Sequence, residues 1–367
     1  MSLKDLYSTE FYTHFADILA PIVPHFDQNA FLERVFDQKW ASRELKDRMR
    51  HTTQVLRHFL PDDFAQAANY IGQITHQLRT QTNKEQVFEY MFLPDYIEQY
   101  GIGHFDIAMP ALEQITQLTS CEFAVRPFIV RYPEPMMAQM QVWSLHPNAN
   151  VRRLSSEGSR PRLPWSFELT AFRHDPSPIL PILNNLNDDP SDYVRRSVAN
   201  SLNDISKDHP NIVVSIAQQW RGISIATDAL LKHACRTLLK QGSPDILAYY
   251  ALNTTNDLTL TDFILDAQSV KMGDKLGFSL SISNQGPQIQ AVRLEYALYF
   301  RKKNETLSRK VFKIAEKNLL PDEKMQLRRS HAFRPITTRV YYGGAHCIAP
   351  ILNGIEQTSL PFDLLIP

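Results

Sequence analysis

Cysteine is scarce in this sequence. The 367 residues hold three, Cys121, Cys235 and Cys347, an odd number set far apart. They make neither a disulfide framework nor a zinc-binding spacing, which points to a reducing compartment. Net charge is missing too, because 39 Lys and Arg balance 39 Asp and Glu. That argues against a wholly basic nucleic-acid coat, while a basic face balanced elsewhere stays open. No uninterrupted apolar run is long enough to span a membrane, and the opening stretch MSLKDLYSTEFYTHF lacks the apolar core of a signal peptide. The expectation is a soluble, cytoplasmic protein. What is present is enough for real cores: 43% of the residues are hydrophobic. The length suits two domains or one large solenoid.

The first two thirds read as helices. From Ser8 to Gln99 apolar residues recur at helical spacing, as in Leu45, Met49, Leu56 and Phe59, with Pro61 as a stop. Arg43, Lys46, Arg48, Arg50 and Arg57 bias the outer face of that helix towards positive charge, which suits either DNA or plain solvation. Further helices are predicted over Ala108–Leu118, over Cys121–Val130 and from Pro133 to about Leu145. Trp143 and Trp220 lie in apolar helical patterns and read as core. A repeat then emerges. Val151-Arg152-Arg153-Leu154 is echoed by Val194-Arg195-Arg196-Ser197, and more weakly by Leu230-Leu231-Lys232-His233. The spacing of about 36 to 43 residues fits paired helices of the HEAT type, whose units stack into a solenoid with a concave side.

The segment His146–Leu169 is the densest in chemistry. Asn150 is the expected N-cap of a short helix and Gly158 its expected C′ residue. Pro161 and Pro164 then stiffen a strap that carries Arg160, Arg162 and Trp165. Such a strap either grips an anion or is a surface loop with internal Arg–Glu pairs, and composition alone leaves both open.

Near Leu252–Leu260 the pattern changes to period two, rich in Val, Ile, Tyr and Phe and broken by Gly, Asn, Pro and Asp. Six or seven strands in a little over a hundred residues predict a β-sandwich of immunoglobulin type, without the Cys…Trp…Cys signature of antibody domains. The predicted domains are therefore 1–253, an α-solenoid of HEAT-like repeats, and 254–367, an immunoglobulin-like β-sandwich. Arg301-Lys302-Lys303, Arg309-Lys310 and Arg328-Arg329 make the second locally basic.

Three stretches together carry a resemblance: VRRLSSEGSRPRLPW from Val151, YVRRSVANSLNDISKDHP from Tyr193 and CEFAVRPFI from Cys121. The combination resembles the AlkC-type bacterial DNA alkylation-repair glycosylases, of the HEAT-like-repeat glycosylase superfamily, over essentially the whole chain. The resemblance implies base-excision repair: hydrolysis of the N-glycosidic bond of 3-methyladenine and 3-methylcytosine in duplex DNA, without full base flipping. It also implies bent DNA, contacted by both domains, and Glu122 as part of the family's EF-RPF motif.

Elementary chemistry agrees with that expectation. An N3-methylated base is already cationic and leaves without a general acid. What remains is to stabilise positive charge on the deoxyribose and to position a water, and carboxylates do both. Glu157 ranks first, flanked by arginines that favour its carboxylate form. Asp204 follows, on one helix face with Arg196 and Asn200, and then Glu122. Trp165 offers a cation an electron-rich face. Arg152, Arg153, Arg160, Arg162, Arg195 and Arg196 are the expected phosphate contacts, since the guanidinium fork suits phosphate. A monofunctional, monomeric enzyme without metal or cofactor is expected. The alternative is a non-catalytic HEAT-repeat scaffold that binds DNA or protein.

Overall fold

The computed structural model describes residues 3–81, 87–252, 257–336 and 339–366. By compactness the chain divides into two units, Met1–Ala234 and Cys235–Pro367. The division falls before the boundary expected at 253/254, which lies outside the described residues.

The first unit is helical. Its early helices are α1 (Thr9–Leu19), α2 (Gln28–Val35), α3 (Leu45–Arg57), α4 (Phe64–Gln81), α5 (Phe92–Gly101), α6 (Phe105–Ile115) and α7 (Val125–Arg131). Local chemistry sets several starts. Ser8 Oγ accepts from the Phe11 amide at 3.2 Å and Asp27 Oδ1 from the Ala30 amide at 3.0 Å, each satisfying a first-turn donor. The helix predicted from Cys121 begins later, at Val125. Ser120 Oγ accepts from the Glu122 amide, a local turn that competes with helix and leaves Glu122 and Phe123 ahead of it.

The repeat occupies the rest of the unit: α8 (Pro133–Ser144), α9 (Ala149–Gly158), α10 (Thr170–His174), α11 (Leu180–Asn185), α12 (Asp192–Ile205), α13 (Pro210–Trp220) and α14 (Ile225–Ala234). The three echoed motifs fall on α9, α12 and α14, and α12 packs against both of the others. Val151, Leu154, Val194, Val198, Leu202, Leu230 and Leu231 are all buried along this stack. A single amphipathic pair has nowhere to hide that face, so neighbouring repeats bury it between them. Trp143 and Trp220 are core, as expected. Among the described residues no helix is long and apolar enough to cross a membrane.

The second unit opens with α15 (Arg236–Gln241) and α16 (Pro244–Tyr249), then turns to strands. These are β1 (Leu258–Leu265), β2 (Ser269–Lys271), β3 (Lys275–Asn284), β4 (Gln290–Arg301), β5 (Leu307–Leu319), β6 (Lys324–Ala332), β7 (Gly344–Leu352), β8 (Ile355–Glu356) and β9 (Leu360–Leu365). One sheet runs β1-β3-β6 and the other β2-β9-β7-β4-β5, with β8 paired to β7. Alternation drives the sandwich. Leu276, Phe278, Leu280 and Ile282 of β3 share one core with Val292, Leu294, Tyr296, Leu298 and Phe300 of β4, because successive side chains on a strand take opposite faces. The basic clusters of this unit are partly neutralised, by Arg301–Glu305, Arg309–Glu356 and Arg328–Asp266 pairs.

Candidate active site

Helix α9 and the strap behind it build the site. Asn148, not Asn150, caps α9: its Oδ1 accepts from the Asn150 amide at 2.8 Å. Gly158 is the last helical residue and has no left-handed backbone. Glycine is needed there for a close approach, since a Cβ would stand 2.5 Å from Val125 Cγ2 on α7.

Arg126 fixes the strap. It is fully buried, and its guanidinium donates to the carbonyls of Gly158 at 3.0 Å, Arg160 at 2.8 Å and Phe167 at 2.6 Å. Burial pulls its pKa down to about 10, aided by the Arg160 charge, which still leaves it cationic at neutral pH. At the end of the strap Trp165 takes φ 65, a left-handed conformation that L residues rarely adopt, and 60% of it is exposed. Lys46 of α3 donates to its carbonyl. A stiff tie on each side thus holds an aromatic face open to solvent.

The charges alternate along a chain. Glu122 meets Arg153 at 2.7 Å; Arg153 lies 3.7 Å from Glu157; Glu157 meets Arg160 at 2.5 Å; Arg160 meets Asp204 at 2.9 Å. Lys207 closes it, 2.9 Å from Asp204. Burial lowers the Arg160 pKa, and the charges of Glu157 and Asp204 outweigh that and hold it above its ordinary value. The same balance, with Glu122 and Glu157, raises Arg153. In a partly dry setting such pairs fix carboxylate orientation. Glu122 spends Oε2 on Arg153 and Ser120, and Glu157 spends Oε1 on Arg160.

Glu122, Arg153 and Glu157 of this chain line a cavity of about 320 Å³ whose walls also include Trp165 and Tyr193. Asp204 is not part of that wall; it is 2% exposed and stands behind Arg160. Tyr193 was missed by the sequence reasoning, yet its ring lies 4.5 Å from the Arg153 guanidinium. Its position just before the repeated Val-Arg-Arg was the available signal.

The six arginines expected to contact phosphate divide. Arg160 is 7% exposed between two carboxylates, so a phosphate contact there does not hold. Arg152 donates to the carbonyls of His146 and Pro147 and pairs with buried Asp189. Arg195 repeats this at the next unit, donating to the carbonyls of Asp189 and Pro190. Each first arginine therefore ties down the turn that precedes its own helix. Arg153 turns into the cavity wall, and Arg162 pairs with Asp208 at 2.8 Å. Arg196 is 66% exposed on the side chain, with Asp192 as its acid neighbour at 2.7 Å.

Comparison with known proteins places this architecture among relatives. Residues 259–366 match the family model described as the YhaZ C-terminal Ig-like domain. The uncharacterized protein YhaZ of Bacillus subtilis (strain 168) is 40% identical over 362 residues, covering 99% of each chain. The solved structure of the Pseudomonas fluorescens alkylpurine DNA glycosylase AlkC, bound to DNA containing an abasic site analog, superposes with a TM-score of 0.92. It is 33% identical and covers 100% of both chains.

Proposed function

The chain belongs to the family that contains Bacillus subtilis YhaZ and Pseudomonas fluorescens AlkC, and on that premise we propose that it is a monofunctional DNA glycosylase of alkylation repair. Its substrate is duplex DNA carrying a cationic alkylated base, 3-methyladenine or 3-methylcytosine. The observation that carries this is one cavity walled by two carboxylates, the arginine between them and an exposed tryptophan.

The reaction follows from those groups. The bond from deoxyribose C1′ to the base nitrogen breaks, and its electron pair goes to the base. The base was cationic and departs neutral, so no acid has to protonate it. Positive charge grows on the sugar as it leaves. Glu157 and Glu122 stabilise that charge from fixed positions, which is worth most where water is excluded. A water attacks C1′ and its proton passes to a carboxylate. Among the described residues Glu157 Oε2 accepts no hydrogen bond and has only the Arg153 guanidinium 3.7 Å away, so it suits that role. Trp165 faces the cationic base, and Arg153 and Arg160 hold the carboxylates in register. Because Trp165 is largely exposed, the site resembles a face laid against the lesion more than the enclosing pocket a flipped base requires, which supports excision without full flipping. Arg196 on its exposed helix face is the best-placed phosphate contact of the six.

The test is product analysis on methylated duplex DNA. Free 3-methyladenine and 3-methylcytosine with matching abasic sites are the expected products. Binding of the same DNA with neither base released would leave a scaffold in place of an enzyme.

A further inference from the structure

A second cavity of about 380 Å³ adjoins the first, and Met91, Ser120, Phe123 and Trp165 belong to the walls of both. Its far side comes from α3 and α5: Lys46, Met49 and Arg50 from one, Asp95 and Glu98 from the other. Asp95 and Glu98 are three apart and share a face of α5. Arg50 lies 2.9 Å from Asp95 Oδ1 and 3.7 Å from Glu98. The side chain of Asp95 is 3% exposed, and its Oδ2 is buried with no hydrogen-bond partner among the described residues. A bare buried carboxylate oxygen is costly and is the kind of atom a ligand satisfies. The catalytic mechanism uses none of these α5 groups.

The walls define the ligand. Flat faces come from Trp165 and Phe123, and pliable thioethers from Met49 and Met91. The charged groups among these walls, Lys46, Asp47, Arg50, Asp95 and Glu98, all come from α3 and α5. Burial, with the neighbouring Asp95 charge, raises the Glu98 carboxyl to about 7, so near neutral pH its protonated form offers an O–H donor and a C=O acceptor side by side. An amidine edge, with an amine donor next to a ring-nitrogen acceptor, is the two-point complement. In 3-methyladenine the N6 amine and N1 keep that edge, whereas in 3-methylcytosine the methyl group occupies the ring nitrogen beside the amine.

We propose that this cavity is a product subsite, which takes excised 3-methyladenine past Trp165 and binds its amidine edge through Glu98 and Asp95. The assignment rests on the glycosylase function proposed above. It gives the leaving base a destination other than the catalytic cavity, so that departure does not reverse through the same contacts.

Calorimetric titration of 3-methyladenine into the full chain without DNA is the test, paired with single-turnover base release. Saturable binding is expected in the wild type. Glu98→Ala weakens it about ten- to hundredfold, the usual range for losing a charged or strong hydrogen bond, while the single-turnover rate stays unchanged. Glu98→Gln keeps the donor–acceptor pair, so it retains binding and loses the pH dependence between about 6 and 8. Absence of binding to the wild type overturns the proposal. Binding indifferent to Glu98→Ala but lost in Glu157→Gln also overturns it, by placing the base in the catalytic cavity. The glycosylase function fails separately, when the wild type releases no base from methylated DNA.

Discussion

At the residue scale the most informative side chain is Trp165. Its left-handed backbone costs about 1–2 kcal/mol for an L residue, and glycine escapes that cost. Trp165→Gly is therefore expected to unfold at a higher temperature than Trp165→Ala, by a difference near 1 kcal/mol in a thermal melt. Both should slow base release to a similar degree, up to roughly thirtyfold, since the lost cation–π contact is worth about 0.5–2 kcal/mol. Equal melting of the two variants would remove backbone strain from the account. The sequence made Trp165 legible as a strap residue beside two prolines, but a positive φ has no local signature in a tryptophan. Gly158 shows the same limit. A glycine at the end of a helical pattern reads as a C′ residue, whereas the atom that demands it, on Val125, lies a helix away.

At the element scale the strap depends on one buried guanidinium. Arg126→Met leaves three carbonyls without their donor and is expected to cost about 3 kcal/mol or more, read from denaturant unfolding. Arg126→Lys should recover part of that stability and little of the base-release rate, because a compact ammonium lacks the planar fork whose two nitrogens reach these carbonyls. The repeated Val-Arg-Arg helices give a sharper contrast. Arg152→Ala unties a turn and should lower the melting temperature, leaving the salt dependence of DNA affinity unchanged. Arg196→Ala touches no turn and should reduce the slope of log affinity against log salt by about 0.9, one phosphate. The reverse pattern would return Arg152 to the phosphate contacts. The repeat itself was legible, because its valines and leucines recur at a similar spacing and are buried on stacked helices. The division of labour within each Arg pair was not, because the ties of Arg152 and Arg195 reach back five and six residues to backbone carbonyls. Likewise the longer strands announced themselves by alternation. β2 and β8, at three and two residues, are too short to alternate.

At the scale of the whole molecule the zero net charge means that DNA affinity rests on where charge sits, not on how much there is. The second unit carries its own pH response. Burial lowers the His331 imidazole from 6.5 to about 4, with Arg339 and Lys310 adding to the effect, and its Nδ1 pairs with the Tyr296 hydroxyl at 2.8 Å. A depressed pKa contributes stability above the unfolded value that is lost as pH falls through the folded one. Between about pH 6.5 and 4 the sandwich is expected to weaken. Hydrogen exchange in β4 and β6 should rise over that window, and His331→Gln should flatten the response. Exchange that is indifferent to pH there would place the proton elsewhere.

The central claim is that Glu157 acts on the sugar of a cationic lesion, and single-turnover release of 3-methyladenine from duplex DNA tests it most directly. Glu157→Gln keeps the shape of the site and removes the charge. DNA binding near the wild-type level is expected, with base release slowed by about 10²–10³-fold, the usual loss when one preorganised electrostatic group is removed. Base release at the wild-type rate in Glu157→Gln would contradict it.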